Sequence, residues 1–197
     1  MKLLLASRSA ARRSMLEAAG VPFESVEAEL DEEAAKAGLE AAGFDARGVA
    51  EELAQLKALA VEADEGDLVL GADQTLELDD GTMLSKPTSR GDAVTQLRML
   101  SGRSHLLHSA AVVVENKATV WWLSETVELT MRPLGDDFLE QYLDREYDAI
   151  RWSVGGYRIE GPGVQLFDRI EGSHFAVLGL PLLPLLGFLR ERGVLAN

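Results

Sequence analysis

Lys2-Leu3-Leu4-Leu5-Ala6-Ser7-Arg8-Ser9-Ala10-Ala11-Arg12-Arg13 decides the fold class. Lys2–Ala6 reads as a short buried strand and Ser7-Arg8-Ser9 as the turn that follows it. Ser9 is an N-cap residue for a helix over Ala10–Ala19, with Gly20 just past its end. Phe23–Ala28 is a second strand candidate, so the chain opens strand, turn, helix, strand. That order begins an α/β layer architecture.

The rest of the chain continues the pattern. Leu30–Gly48 is acidic, Ala/Gly-rich and weakly patterned, and reads as a loop or a helical excursion. Val49, Leu53, Leu56, Leu59 and Ala60 recur at helical spacing over Val49–Ala63. Asp67–Ala72 is a buried strand, and Thr75–Leu78 alternates up to the turn Asp79-Asp80-Gly81. Ser89 caps a helix to Leu100, and Leu106–Val114 and Thr119–Met131 form a hairpin around Glu115-Asn116-Lys117. Asp136–Asp144 reads as a helix, Val164–Ile170 as a strand and Gly179–Arg192 as a terminal helix with Pro181 in its first turn. The expected architecture is a mixed twisted α/β sheet flanked by helices. No repeat, low-complexity tract or linker divides the chain, so residues 1–197 are expected to form a single domain.

Charge narrows the function classes. The net charge is −14, which disfavours a phosphate-coating nucleic-acid surface or an anionic membrane surface. Within that acidic chain, residues 1–16 carry Lys2, Arg8, Arg12 and Arg13 and no acid. There are no cysteines, which excludes thiol catalysis, disulfides and thiolate metal sites. The run Leu3–Ala6 is too short for a signal-peptide core, and Phe175–Leu189 is shorter than the ~20 residues of a membrane span. A cytoplasmic protein is the simplest expectation.

Four sets of residues can carry chemistry. Ser7 and Ser9 sit where a strand meets a helix N-terminus, a place suited to phosphate. Arg12 and Arg13 stand in the first helical turn against the helix dipole, so either an external polyanion or nearby acids neutralise them. Asp73 directly follows the apolar run Leu68–Ala72, where it can ligate a cation, orient water or simply form a turn. Lys57 in the most regular helix and Lys86 before Pro87 can place point charges on phosphate or be surface solvation. One carboxylate of Asp31-Glu32-Glu33 can complete a metal site with Asp73. The three histidines have no HExxH spacing, and no G-x-S-x-G elbow occurs.

Taken in order, these segments resemble the Maf family of nucleotide pyrophosphatases. The carrying motifs are L-A-S-R-S-A-A-R-R-S-M-L, A-E-L-D-E, L-A-Q-L-K-A, V-L-G-A-D-Q-T, S-K-P, L-S-G-R-S-H and G-Y-R-I-E-G-P-G-V-Q-L-F-D-R-I-E-G, then V-L-G-L-P-L. They run in register from residue 3 to about 190. The resemblance implies a Maf/ITPase-like fold with a deep cleft, a homodimer, and metal-dependent hydrolysis of nucleoside triphosphates to monophosphate and pyrophosphate. Carried over by motif, Ser7, Ser9, Arg12 and Arg13 would hold the triphosphate. Glu32 and Asp73 would bind Mg²⁺ or Mn²⁺, with Asp73 also the base toward water. Lys57 and Lys86 would stabilise charge on the phosphates.

The base-reading positions carry Gln74 after Asp73 and Glu160 in the Gly-rich loop, and both resemble the branch acting on 7-methyl-GTP. A carboxylate accepts the N1–H and N2–H donors of guanine as a pair, and N7 methylation strengthens that pairing. Trp152 and Tyr157 are candidate aromatic partners for a cationic base. Ala11 replaces the Arg or Trp frequent in the resembling branches, which keeps a pyrimidine or modified-nucleotide triphosphate as the alternative substrate. A nucleotide-binding regulator of septum formation is the alternative from another class.

Overall fold

The computed structural model describes residues 1–196. The elements are β1 (Leu3–Ala6), α1 (Ala10–Ala18), β2 (Glu24–Val26), α2 (Glu32–Ala41), α3 (Ala46–Leu59), β3 (Leu68–Leu78), β4 (Met83–Leu84) and α4 (Arg90–Leu100). They continue with β5 (Ser104–Glu115), β6 (Ala118–Met131), α5 (Asp136–Ile150), two 3₁₀ turns, β7 (Phe167–Glu171), α6 (His174–Val177) and α7 (Leu182–Glu191). The strands form one mixed sheet in the order β2-β1-β3-β5-β6-β7, with β4 on β3. β1 runs parallel to β2 and β3, whereas β4 and β7 pair antiparallel with β3 and β6. No helix among the described residues is long and apolar enough to cross a membrane.

The chain divides into two compact units. The first holds Met1–Gln74, Ser109–Glu125 and the chain from Ser173 on; the second holds Thr75–His108 and Thr126–Gly172.

In the first unit the alternation of the strands sends side chains to two separate cores. Leu3, Leu5, Leu68, Leu70, Ala72, Ala111 and Val113 pack with Met15 and Leu16 of α1 and with Leu182, Leu185 and Leu189 of α7. Leu4, Ala6, Val69, Ala110, Val112 and Val114 pack on Ala50, Ala54 and Ala58 of α3. The alanine row lets α3 approach closely, and Gly71 completes the fit. A Cβ built at Gly71 would lie 2.0 Å from the Ala54 carbonyl oxygen and 2.8 Å from the Ala58 nitrogen. Only a residue without a side chain lets the helix backbone rest on the strand there.

In the second unit α4 and α5 are joined by Arg90, which pairs with Glu140 and Asp144 at 2.7 Å each. Tyr157 anchors the glycine-rich loop. Its hydroxyl lies 2.7 Å from His105 Nε2, and its ring meets Phe167 edge-on at 4.8 Å. Gly155 has φ +74°, and a Cβ there would meet Leu76 at 2.5 Å, so glycine is required twice over.

Local chemistry explains where the elements depart from the sequence expectation. The stretch expected to be a loop or helical excursion contains α2, and α3 starts at Ala46 rather than Val49. Asp31 accepts from Ala34 N and Asp45 from Gly48 N, so each helix begins at its own N-cap. Glu32 and Glu33 favour the positive end of α2, which buries no residue and therefore shows no apolar pattern. The two strand pieces expected around Asp73 are one continuous strand, β3, whose far end pairs with β4 through Leu76 and Leu84. Residues expected to begin the last strand form a 3₁₀ turn over Pro162–Leu166. The expected terminal helix begins later, as α7 after Pro181 rather than at Gly179, and the residues before it form a further short helix, α6.

Candidate active site

Glu32, Lys57 and Asp73 come from three elements of the first unit and meet. Lys57 is buried on α3 yet carries an ammonium, which demands counter-charge. Its Nζ lies 2.5 Å from Asp73 Oδ1 and 3.0 Å from Glu32 Oε2. Asp73 lies inside β3 on the face toward α3, and Glu32 stands in the first turn of α2. The group therefore joins two carboxylates through one lysine. Two oxygen donors of this hardness fit Mg²⁺ or Mn²⁺, which take one or two protein carboxylates and complete their shell with phosphate oxygens and water.

Arg12 is buried beside this group. Its Nε donates to the Gly179 carbonyl at 2.7 Å, and its Nη1 donates to the Ala72 carbonyl at 2.9 Å and to Ser7 Oγ at 3.2 Å. Burial lowers the pKa of the guanidinium, and the charges of Asp73 and Glu32 act in the opposite direction. Arg12 is thus built into the first unit by two main-chain carbonyls, and its positive charge is felt by both carboxylates. Ser9 caps α1 by accepting from Arg12 N at 3.4 Å, and Ser7 Oγ accepts from Ser9 N at 3.3 Å. Arg13 is exposed and Ala11 half-buried on α1.

Gln74 points to the opposite face of β3 from Asp73. Its amide nitrogen reaches Ser109 Oγ at 2.8 Å, the Ala176 carbonyl at 3.0 Å and the Val177 carbonyl at 3.1 Å. Ser109 Oγ itself donates to the Ala176 carbonyl at 2.6 Å. Ser109 and the carbonyls of Ala176, Val177 and Gly179 were not legible in the sequence. A carbonyl has no residue signature, and Ser109 reads as one small residue in an apolar strand.

Lys86 and Glu160 belong to the second unit and are both exposed there. Lys86 follows β4, and Glu160 lies in the loop anchored by Tyr157. The hydrogen bond from Arg158 Nε to Glu146, at 2.9 Å, raises the pKa of Arg158, and the charge of neighbouring Glu160 adds to it in smaller measure. Tyr157 is enclosed by His105 and Phe167, so its ring has no face for a base. Trp152 is exposed, with the Arg151 guanidinium 4.9 Å from its ring centre.

Residues 2–192 match the family model described as Maf-like protein. A nucleoside triphosphate pyrophosphatase of Sphingopyxis alaskensis is 47% identical over 195 residues, covering 98% of each chain. A 7-methyl-GTP pyrophosphatase of Rhizobium etli is 49% identical over 195 residues, again covering 98% of each chain. Among solved structures, a nucleoside-triphosphatase, dITP/XTP pyrophosphatase, from Mycobacterium abscessus aligns over 98% of this chain and 96% of its own at 16% identity, with a TM-score of 0.47. The chain belongs to the Maf-like protein family.

Proposed function

We propose that this protein hydrolyses a nucleoside triphosphate to the monophosphate and pyrophosphate in a metal-dependent reaction, with 7-methyl-GTP as its substrate. The observation that carries the reading is the meeting of Glu32, Lys57 and Asp73. A purely structural core has little use for two carboxylates gathered on a buried lysine, because burying charge is costly even when paired. Hydrolysis of a polyanion uses all three. The family and the names of its relatives point to the same reaction class.

In this mechanism a water oxygen forms a bond to the α-phosphorus, the bond from that phosphorus to the bridging oxygen breaks, and pyrophosphate leaves with the electron pair. Asp73 accepts the proton released by the water at a carboxylate oxygen. Lys57 holds Asp73 in place and shares its ammonium with the phosphate oxygens once the triphosphate enters. A divalent cation bound through Glu32 and Asp73 would neutralise the triphosphate's charge and polarise its phosphoryl oxygens. Ser7, Ser9 and Arg13 are proposed to steady the phosphates, and Arg12 to sustain the local positive field. Ala11, on the first turn of α1, is proposed to leave room beside the nucleotide.

The motif assigns Lys86 to phosphate and Glu160 to the guanine edge. The Rhizobium etli relative named as a 7-methyl-GTP pyrophosphatase supports that choice of base. The experiment is a panel of 7-methyl-GTP, GTP, UTP and dTTP with Mg²⁺, Mn²⁺ or EDTA, reading pyrophosphate release. The reading requires metal-dependent turnover that is fastest with 7-methyl-GTP. Faster turnover of UTP or dTTP would move the assignment to the pyrimidine substrates.

A further inference from the structure

The sequence suggests Gln74 as a reader of the base, because it follows Asp73 directly. The strand geometry separates the two residues. Successive side chains on β3 alternate faces, so Gln74 shares the α1/α7 side with Leu68, Leu70 and Ala72, while Asp73 shares the α3 side with Val69. On its own side the Gln74 amide nitrogen is already engaged. It faces Ser109 Oγ and the carbonyls of Ala176 and Val177. These carbonyls also orient the amide, because a carbonyl oxygen in that place would meet two acceptors. The Ser109 hydroxyl spends its hydrogen on Ala176, so it too accepts from Gln74.

Ala176 and Val177 end the four-residue helix α6. Along the chain the Ala176 carbonyl accepts from Gly179 N at 2.9 Å. Gln74 and Ser109 bond the same carbonyl from the side, and Gln74 also takes the carbonyl of Val177, so the two side chains tie the end of α6 to the sheet. The chain then turns through Gly179 at φ +94°, which presents its carbonyl to Arg12 Nε at 2.7 Å. A Cβ at Gly179 would lie 3.2 Å from Arg12 Nε, so the turn and the guanidinium are closely fitted. Arg12 in turn donates to the carbonyl of Ala72, two residues before Gln74 on the same strand face. The contacts close a ring: Gln74, the end of α6, Gly179, Arg12, Ala72.

We propose that Gln74 is a positioning residue. It fixes the turn at 174–180, and through the Gly179 carbonyl it sets where the buried charge of Arg12 lies relative to Asp73 and Glu32. Gln74 then affects every triphosphate alike instead of choosing between bases. The catalytic consequence rests on the proposed pyrophosphatase function; the structural tether does not.

The test uses Gln74→Met, which keeps side-chain length and apolar packing but removes the donor, and Ser109→Ala, which leaves the Gln74 amide in place. Hydrogen exchange is followed at the amides of Val177, Leu178, Gly179 and Leu180, all bonded within the turn. In Gln74→Met these amides are expected to exchange at least ~10-fold faster, with α3 amides unchanged. Ser109→Ala is expected to give a smaller change at the same amides, and it decides the matter if Gln74→Met does not fold. Kinetics on the same variants are expected to lose kcat/KM by a similar factor for 7-methyl-GTP, GTP and UTP. Unaltered exchange at 177–180 would overturn the tether. Normal exchange with a changed ratio between bases would return Gln74 to base reading. If the wild-type protein turns over no triphosphate, the proposed function falls, and the exchange experiment still decides whether Gln74 holds the turn.

Discussion

Substitution of Gly71 by alanine links packing to chemistry through a single methyl group. The new Cβ would lie 2.0 Å from the Ala54 carbonyl oxygen, 2.8 Å from Ala58 N and 3.0 Å from Ala58 Cβ. Ordinary contact begins near 3.4 Å, so α3 must retreat from β3 by about 1.4 Å, since the two nearest obstacles are helix backbone and cannot rotate aside. Retreat loosens Ala50, Ala54 and Ala58 against the sheet, and overpacking of this kind costs about 3 kcal/mol. It also carries Lys57, on the same helix, away from Asp73, to which it stands 2.5 Å. A displacement of about 1 Å in a reacting constellation lowers turnover on the order of 100-fold. Urea denaturation followed by circular dichroism reads the first effect, and pyrophosphate release reads the second. Stability within about 0.5 kcal/mol of wild type, with turnover down less than about 3-fold, would refute the claim that backbone contact at Gly71 places Lys57.

Three further substitutions address the other parts of the account. Lys57→Met should fold less stably, by about 3 kcal/mol, and lose turnover at least ~100-fold, because Asp73 and Glu32 lose the ammonium that both of them touch; calorimetry and pyrophosphate release measure the two effects. Glu160→Gln should slow 7-methyl-GTP and GTP at least ~10-fold more than UTP in the same assay, since an amide presents only one acceptor to the guanine donors; an equal loss for all bases would contradict the base-reading role. His105 is buried, and burial lowers its pKa from 6.5 to about 4. The unfolded chain therefore binds a proton that the folded chain refuses, so stability falls as pH drops from about 6.5 and the loss is complete below about 4, reaching about 3 kcal/mol. His105→Gln should flatten that part of the urea stability profile, and an unchanged slope would show that other groups cause it.

The sequence carried the order of elements and most of the Glu32, Lys57, Asp73 group, for different physical reasons. Strands β1 and β3 and helix α3 announce themselves because burial imposes an apolar period on them. Helix α2 did not, since it buries nothing and is held by its cap and its acidic first turn. The in-register motifs suggested roles for the charged residues, but they could not say which face a side chain would take. Gln74 and Asp73 are adjacent in sequence and opposite in space, a consequence of β3 running unbroken through both. Arg12 shows the same limit. Its place against the helix dipole left a polyanion or nearby acids as its partner, whereas its Nε and Nη1 donate to Ser7 and to two carbonyls from distant parts of the chain, with the charges of Asp73 and Glu32 acting on it.

The central claim is that Glu32, Lys57 and Asp73 direct water to the α-phosphorus of a nucleoside triphosphate. Hydrolysis of 7-methyl-GTP in ¹⁸O-labelled water with Mg²⁺, followed by mass spectrometry of the products, tests it most directly. The account predicts label in the nucleoside monophosphate, unlabelled pyrophosphate, and loss of both products in Asp73→Asn with the fold retained. Release of orthophosphate with a nucleoside diphosphate, label in the pyrophosphate, or full activity of the Asp73→Asn variant would contradict it.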